Sequence, residues 1–144
     1  MINPSSLFVD TSGWACLFVP TEAHHEQAKE QYALAVGTAK RSSGITVYTT
    51  NYVLSELVAL LTRDVTRPRL LGYIKLIQSA SYVKILHIDE SLDRRAWGEL
   101  DKRHDKQWSL VDASSFVIMS QIGLQQALTT DRHFEQAGFV RLLK

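Results

Sequence analysis

The chain has 144 residues and a mass of 16.3 kDa, a size typical of one domain with its own core, and we predict a single domain over residues 1–144. Charged residues make up 22% of it, as is ordinary for a soluble globular protein, and the formal net charge of +1 does not indicate a nucleic-acid partner, although a local basic patch would still allow one. No apolar segment approaches the roughly 18 residues of a membrane span, and no signal peptide is visible. The single cysteine, Cys16, cannot form an internal disulfide, so we expect a soluble cytoplasmic protein with no membrane partner.

The first predicted element is a short apolar strand that leads directly into a carboxylate. Leu7, Phe8 and Val9 fit a strand buried on both faces, the kind found in parallel sheets, and Asp10 follows at its carboxyl end. In open parallel sheets the functional crevice lies beyond the carboxyl ends of the strands. Asp10 is therefore expected at the rim of such a crevice.

Helical and strand patterns alternate along the rest of the chain. The patterns predict strands at 7–9, 45–50, 83–88, 127–130 and 139–143. They predict seven helices, at 11–18, 22 to about 36, 52–63, 67 to about 77, about 90 to 104, 110–122 and 131–137, with a loop at 37–44. The predicted caps are Thr21 for the second helix, Asn51 for the third, Asp89 or Ser91 for the fifth and Ser109 for the sixth. Short strands joined by helices imply right-handed crossovers, so we predict an α/β domain whose mostly parallel central sheet is covered by helices on both faces.

Two aspartates come directly after predicted strands. Asp10 follows the first strand, and Asp131 follows Leu128-Thr129-Thr130. In a parallel sheet both would reach the same edge. Each also has a purely structural interpretation, because a short acidic side chain can cap the helix that begins there.

Two further acids lie on helices that must pack against this edge. Glu56 is at the border of the apolar stripe of its helix, where it is either solvated or turned towards the sheet. Asp112 lies on a helix that is apolar almost all round, and Ser109-Leu110-Val111-Asp112 also matches a capping box. A capping box explains why an acid stands near the helix start, but it does not explain why the Asp112 side chain would point towards the core. We therefore favour a functional role for Asp112.

Four carboxylates in one crevice repel each other, and they stay ionised together only if cations neutralise them. Oxygen ligands without His or Cys suit Mg²⁺ or Mn²⁺ rather than Zn²⁺. Two-metal nucleases use such ions to activate a water and to stabilise the leaving oxygen of a phosphodiester. The acids therefore indicate a metal site of the nuclease type.

The segments that carry these acids resemble the PIN-domain ribonucleases, and within them the VapC-like toxins of bacterial toxin–antitoxin pairs. The resemblance rests on four motifs in order: Phe8-Val9-Asp10-Thr11-Ser12, Thr50-Asn51-Tyr52-Val53-Leu54-Ser55-Glu56, Trp108-Ser109-Leu110-Val111-Asp112 and Leu128-Thr129-Thr130-Asp131-Arg132-His133-Phe134. Each motif is short, but all four at this spacing form a specific signature over nearly the whole chain. One difference is Val111-Asp112-Ala113, where the family often has Thr-Asp-Cys.

The resemblance implies a fold, an activity and a set of site residues. The fold would be a PIN-like three-layer sandwich, and the activity a Mg²⁺- or Mn²⁺-dependent endoribonuclease that cuts structured transfer or ribosomal RNA. The catalytic and metal-site residues would be Asp10, Glu56, Asp112 and Asp131, with Ser12 and Thr130 as supporting hydroxyls. The resemblance also implies a homodimer that is held inactive by an antitoxin protein.

The other candidate residues favour ordinary structural roles. Basic residues fall into two groups, Arg63, Arg67, Arg69 and Lys75, and Arg94, Arg95, Lys102, Arg103 and Lys106. Either group can contact phosphate, but acids interleave the second one, which favours a solvated helix face. We expect His24, His25 and His133 at the surface, and Trp14 and Trp97 in the core or at an interface.

Three other classes of protein share features with this chain. A signalling receiver needs an acidic pair after the first strand and a late lysine, whereas Thr11-Ser12 follows Asp10 here. A haloacid-dehalogenase-like phosphotransferase needs a second aspartate two residues after the first, where this chain has Ser12. A catalytically idle module that binds a partner protein or RNA is the serious alternative, and metal binding by the acids distinguishes it from the nuclease.

Overall fold

The computed structural model describes residues 2–42 and 44–144, and these ranges contain five strands and seven helices. The elements in chain order are β1 (Leu7–Val9), α1 (Thr11–Phe18), α2 (His25–Ser42), β2 (Val47–Thr50), α3 (Asn51–Leu61), α4 (Arg67–Ser79), β3 (Val83–Leu86), α5 (Glu90–Lys102), α6 (Leu110–Ile122), β4 (Gln126–Leu128), α7 (His133–Gln136) and β5 (Val140–Arg141). The predicted α/β class is therefore confirmed. No helix within the described ranges has the length and apolar character needed to cross a membrane.

The five strands form one sheet in the order β3-β2-β1-β4-β5, and every neighbouring pair is parallel. In the central strand β1, Phe8 pairs with Tyr48 of β2 on one side and with Ala127 of β4 on the other. The chain moves outward from β1 through β2 and β3, and then returns to the other side for β4 and β5. The strand order therefore reverses between β1 and β4, and open α/β sheets bind ligands beyond the carboxyl ends of the strands at such a reversal.

The core is built around β1. Leu7, Phe8 and Val9 are each exposed by 1% or less, and burial of each contributes about 1.5–3 kcal/mol. Trp14 of α1 is fully buried, as predicted, and its Nε1–H donates to Thr49 Oγ1 at 3.1 Å, which satisfies the one polar atom of the ring. The carboxyl end of β1 is thus fixed on a rigid base.

Gly13 allows α1 to lie directly against β4. A Cβ atom on this residue would fall 2.0 Å from the backbone oxygen of Leu128, far below any contact distance. No larger residue fits there without moving the helix. The close approach brings the first turn of α1 beside the residues that follow β4.

The start of α2 differs from the prediction. The helix begins at His25, well after the predicted Thr21 cap. His24 and His25 are half-buried rather than at the surface, because His25 Nδ1 lies 2.7 Å from the carbonyl oxygen of Cys16. This contact ties the start of α2 to α1, where Cys16 is a buried free thiol.

The end of α2 was also predicted wrongly, because the predicted loop at 37–44 is largely helical. The helix continues to Ser42, and position 43 lies outside the described residues. Ala35 and Ala39 are buried in this part of the helix. Their packing outweighs the roughly 1 kcal/mol by which Gly37 disfavours a helix.

The cap of α3 is Thr50 rather than Asn51. The Thr50 hydroxyl accepts a hydrogen bond of 3.1 Å from the backbone N–H of Val53. Asn51 Oδ1 accepts one of 2.7 Å from the backbone N–H of Ile88. A threonine hydroxyl caps a helix nearly as well as an asparagine amide, so the asparagine is released to join α3 to the chain after β3.

The remaining differences concern element ends. The strands β2 to β5 are shorter than predicted, and α7 begins at His133 rather than at Asp131. α5 begins behind Asp89, the first of the two predicted caps, and α6 has its predicted bounds. Trp97 is 55% exposed and does not belong to the core.

Candidate active site

Asp10 lies at the carboxyl end of β1, and its carboxylate points across to the neighbouring strand. Asp10 is the residue before α1, yet it makes no side-chain capping hydrogen bond to that helix. Its Oδ2 accepts a hydrogen bond of 3.0 Å from the hydroxyl of Thr129, which follows β4. The side chain is buried, with 4% exposure. Helix capping therefore does not account for the orientation of Asp10.

A chain of hydroxyl groups holds Asp10 in this orientation. Because Thr129 Oγ1 donates its one hydrogen to Asp10, Ser12 is the donor in the 3.1 Å contact between Ser12 Oγ and Thr129 Oγ1. Ser12 Oγ accepts a 3.0 Å hydrogen bond from the backbone N–H of Thr130. The backbone N–H of Asp131 donates to Thr129 Oγ1 at 3.0 Å. The network joins the segments after β1 and β4 into one unit.

Sequence reasoning selected Thr130 as a supporting hydroxyl and missed Thr129. Successive residues of a strand face opposite sides, so only one of the two threonines can meet Asp10. The pairing of Val9 with Leu128 decides which one it is, because it places the next residues of both strands side by side. This pairing joins residues more than a hundred positions apart, and no local pattern reveals it. Thr130 lines the same pocket and enters the network through its backbone N–H.

Glu56 is on the second turn of α3 and is turned towards the same strand ends. It is half-buried, and its Oε1 accepts a hydrogen bond of 2.5 Å from the hydroxyl of Thr11. Thr11 directly follows Asp10, so this bond fixes Glu56 against the end of β1. The sequence left open whether Glu56 is solvated or turned towards the sheet, and in the structure it is turned towards the sheet.

Asp112 makes the predicted capping box and also belongs to the acidic cluster. Its backbone N–H donates to Ser109 Oγ at 3.0 Å, and its Oδ2 accepts from the Ser109 backbone N–H at 3.1 Å. The same Oδ2 lies 2.8 Å from Nδ1 of His133. The box fixes the rotamer of Asp112 at the start of α6, and with 6% exposure the residue is buried.

Asp131 lies beyond β4, and His133 bridges it to Asp112. Asp131 Oδ1 accepts the backbone N–H of His133 at 2.9 Å and lies 3.3 Å from His133 Nδ1. The surface position predicted for His133 is therefore wrong: the residue is half-buried between two carboxylates. One ligand atom from each of Asp112, Asp131 and His133 lies within 4.8 Å of the others. The sequence could have indicated this position, because His133 is only two residues after Asp131 and its ring lies on the same short turn.

These contacts enclose a pocket at the reversal point of the sheet. The pocket has a volume of about 300 Å³, and its lining residues are Asp10, Thr11, Ser12, Glu56, Leu60, Thr130 and Asp131. Asp112 lies behind it, close enough for its charge to act on Asp10. The structure thus brings the four predicted acids and both predicted hydroxyl residues to one edge of the sheet. We call this group of four carboxylates and its cavity the acid pocket.

The acid pocket disfavours its own negative charge. Burial raises the pKa of Asp10 to about 7, and the neighbouring charges of Asp112 and Glu56 add to this effect. Burial also raises the pKa of Asp112, with a further contribution from Asp131, while hydrogen bonds from Ser109 and His133 oppose the change. A buried cluster of this kind becomes fully ionised only when a positive charge enters it.

The residues fit a divalent cation. Oδ1 of Asp10 is buried and has no hydrogen-bond partner among the described residues, which is costly for a carboxylate unless a cation binds it. The surrounding donors are carboxylate oxygens, which hard cations prefer. PIN nucleases are in general dependent on divalent metal ions, and in this cluster Asp112, Asp131 and His133 offer ligand atoms close enough together to hold one.

Comparison with known proteins gives the same family as the motifs. The profile of the PIN domain matches residues 7–140. VapC20 of Mycobacterium tuberculosis, named a 23S rRNA-specific endonuclease, is 35% identical over 136 residues in two strains, and the alignment covers 94% of this chain and 97% of VapC20. The crystal structure of VapC20, described as a sarcin–ricin loop cleaving toxin, superposes with a TM-score of 0.82 at 33% identity, covering 96% of this chain and all of that one.

The chain therefore belongs to the PIN-domain family, and within it to the VapC-like toxins. PIN domains are nucleases, so the protein is an enzyme of that class and the acid pocket is the candidate centre for its chemistry. The five-stranded parallel sheet with helices on both faces is the PIN-like sandwich that the resemblance implied. The particular relative that the comparisons give is VapC20, in sequence and in structure.

Proposed function

We propose that this chain is a Mg²⁺- or Mn²⁺-dependent endoribonuclease, the toxin of a toxin–antitoxin pair, and that its acid pocket hydrolyses a phosphodiester bond in ribosomal RNA. The observation that carries the proposal is the buried, unpaired Oδ1 of Asp10, set among three further carboxylates at the reversal point of the sheet. This arrangement is unfavourable alone and becomes favourable with a cation. A protein that only binds a partner has no use for it.

The cation ligands we propose are the four acids, Asp10, Glu56, Asp112 and Asp131. We propose that the cation binds their carboxylate oxygens, which Mg²⁺ and Mn²⁺ prefer, and that the nearby His133 nitrogen contacts Asp112 and Asp131 instead of the cation. When bound, such a cation lowers the pKa of a water and offsets the negative charge on the phosphate under attack. Cleavage then consumes one water per bond, with a new P–O bond formed to the water oxygen and the old ester bond broken.

The other residues of the pocket act by positioning the acids. Thr129 and Ser12 fix the rotamer of Asp10 through their hydroxyl chain. Thr11 fixes Glu56, and His133 contacts both Asp112 and Asp131. Ligands held this way lose little freedom when the cation binds, which favours tight and geometrically defined binding.

The substrate we propose is the sarcin–ricin loop of 23S ribosomal RNA. The support is the similarity to VapC20 over nearly the full length of both chains, since VapC20 is named for cleavage of this RNA. Of the two classes implied by the family resemblance, ribosomal RNA is therefore preferred to transfer RNA. Because ribosomes are the proposed target, we also propose a cytoplasmic location.

The partners we propose are a cognate antitoxin protein and a second copy of this chain, with residues 1–144 forming one PIN-like domain. Exposed apolar side chains on α3 and α4 support a partner surface, because Leu60, Leu71 and Leu76 are 53%, 43% and 61% exposed. Side chains of this kind favour association when they lie on one surface. An antitoxin on the nearby face would also limit access to the acid pocket, which Leu60 borders.

The test is cleavage of intact ribosomes and of total cellular RNA by the purified protein with Mg²⁺ or Mn²⁺, followed by mapping of the new RNA ends. We expect one dominant cut within the sarcin–ricin loop, lost with excess chelator and in Asp10→Asn. The matched control is Asp64→Asn, which removes an exposed carboxylate outside the pocket and should cut normally. Equal cutting by wild type and Asp10→Asn would mean a contaminant, and absence of both cutting and metal binding would favour an idle binding module.

A further inference from the structure

A second depression runs from Trp108, just before α6, along that helix to Ser120. It has a volume of about 280 Å³ and is lined by side chains from α5, α6, α7 and the α5–α6 connection. The polar and aromatic side chains that characterise it are Arg95, Glu99, Arg103, Lys106, Trp108 and Gln136. We call it the basic cleft.

The basic cleft and the acid pocket are joined by short covalent connections. Trp108 directly precedes Ser109, whose backbone N–H is bonded to Asp112. On the other wall, Gln136 lies one helical turn after His133, which contacts Asp112 and Asp131. Trp108 and Gln136 of the cleft are therefore each connected to a residue that contacts Asp112.

The charge of the cleft is opposite to that of the acid pocket. It has three cationic side chains and one carboxylate, Glu99, which pairs with Lys102 at 3.9 Å. Arg103 is exposed and has no carboxylate partner among residues 2–42 and 44–144, and Lys106 pairs only with its neighbour Asp105 at 3.4 Å. An excess of cations in a concave site attracts phosphate, and RNA needs such attraction beside four carboxylates that repel it.

The wall of the cleft includes a fixed aromatic ring. Trp108 is half-buried and packs edge-to-face on Phe116, with ring centroids 4.9 Å apart. Its Nε1–H donates to Gln136 Oε1 at 3.0 Å, which fixes the plane of the ring. A partly exposed, immobilised indole is the usual platform on which an unpaired base stacks.

We propose that the basic cleft binds one unpaired nucleotide of the RNA substrate, next to the bond cut in the acid pocket. The base stacks on Trp108, and the phosphate on that nucleotide contacts Arg103 and Lys106. The volume of about 280 Å³ is at the lower end of small-ligand sites, which leaves room for a single nucleotide but not for a duplex. The proposal rests on the proposed function and deepens it, because it assigns the substrate contact that selects the strand.

The first test is charge reversal with the hairpin of the sarcin–ricin loop as the probe. Arg103→Glu with Lys106→Glu should raise KM by about tenfold or more while kcat stays within about threefold, because the acids are untouched. The slope of log affinity against log salt should fall by about two in the double variant. Lys40→Glu with Lys84→Glu makes the same change of charge at exposed residues of α2 and β3 and should alter KM less than twofold. An equal effect of this control pair, or no effect of the Arg103/Lys106 double variant, would overturn the proposal.

The second test locates the nucleotide. Both proteins carry Asp10→Asn so that the RNA stays uncut, and one of them also carries Trp108→Ala. A series of hairpins, each with one abasic site at a different loop position, is titrated with each protein to measure binding affinity. An abasic site at one loop position should weaken binding by about tenfold when Trp108 is present and should have no effect on the Trp108→Ala protein. Thermal melting checks that the Trp108→Ala protein is folded. Additive losses at every position would show that Trp108 touches no base.

The two tests also separate this proposal from the proposed function. If the double variant cuts normally while Asp10→Asn does not, the nuclease assignment stands and the cleft proposal fails. If no variant and no wild-type protein cuts RNA, yet the double variant loses binding to an acidic peptide, the cleft is a protein-binding site and both proposals fail.

Discussion

The acid pocket and the basic cleft both use α6, the first through Asp112 and the second through Phe116 to Ser120, but they are built in different ways. Asp10 and Asp112 are buried, and each is held by hydrogen bonds that reach other elements. Arg95 of α5 and Arg103, the residue that follows this helix, are exposed. The pocket is a rigid site formed by the sheet, and the cleft is an adaptable surface formed by long side chains.

Because of this difference, substitutions in the acid pocket and in the basic cleft should change different properties of the protein. The acid pocket concentrates negative charge in a position that burial disfavours, so changes there should affect chemistry, metal binding and pH-dependent stability. The basic cleft contributes positive charge near the surface, so changes there should affect substrate affinity and its salt dependence. The predictions below make this separation testable.

The largest effect is expected from removing a carboxylate of the acid pocket. Asp10→Asn and Asp112→Asn should each lower kcat by about 10³-fold or more, since a cation site of this type contributes several kcal/mol to catalysis. KM for RNA should change little. Single-turnover cleavage at saturating RNA measures this, with Asp64→Asn as the control. A loss confined to KM would assign these acids to substrate binding instead.

The second prediction concerns the stability of the metal-free protein as a function of pH. The pKa of Asp10 is about 7 in the folded chain against 3.8 in a model peptide, so the folded state holds its proton more tightly. Its contribution to stability is complete below about pH 4 and is lost as the pH rises through about 7. In chelator at pH 8, Asp10→Asn should therefore exceed the wild type in free energy of unfolding by up to about 4 kcal/mol.

The measurement for this prediction is urea unfolding of both proteins at pH 4 and pH 8. The two should be similar at pH 4, and added Mg²⁺ should stabilise only the wild type at pH 8. A wild type that gains stability from pH 4 to pH 8 relative to Asp10→Asn would contradict the assigned direction.

The third prediction concerns a residue that positions a ligand without binding the cation itself. Thr11→Val keeps the shape of the side chain but removes the hydrogen bond to Glu56, so the carboxylate gains freedom. Activity should fall by about 10- to 100-fold, as is typical when a group orienting a metal ligand is removed. Added metal should recover part of the loss. Thr66→Val, at an exposed helix cap without a side-chain bond, is the control.

The smallest effect is expected at Thr129. Thr129→Val removes the hydroxyl that Asp10, Asp131 and Ser12 share, and it should lower the free energy of unfolding by about 1–3 kcal/mol. Thr129→Ser keeps the hydroxyl and should recover most of the stability. If valine and serine are equally stable, the network contributes little.

Much of the fold and the acids themselves could be predicted because each depends on local pattern. The apolar run before Asp10 indicates a buried strand, and the capping box before Asp112 indicates a helix start. Thr129 and His133 were not predicted because their roles depend on the β1–β4 pairing and on the turn that follows. The end of α2 was wrong because burial of Ala39 outweighs the local signal of Gly37.

The basic cleft could not be predicted from the sequence either, because its side chains come from separate elements. Arg103 and Lys106 were assigned to a solvated face because acids surround them in the sequence, and Arg103 is indeed exposed. The fold turns some of those acids away and brings Trp108 and Gln136 to the same depression. Which charges share a surface is decided by helix packing, and sequence spacing along α5 alone does not reveal it.

The most direct test of the central claim, that the acid pocket is a cation site completed by Asp10, is calorimetric titration with Mn²⁺ at pH 6 and pH 9 in buffers of different ionisation enthalpy. With a pKa of about 7, Asp10 is protonated at pH 6, so binding should release about one proton more from the wild type than from Asp10→Asn, and the difference should vanish at pH 9. Affinity should also fall strongly in Asp10→Asn. Equal affinity and equal proton release in the two proteins would contradict the claim.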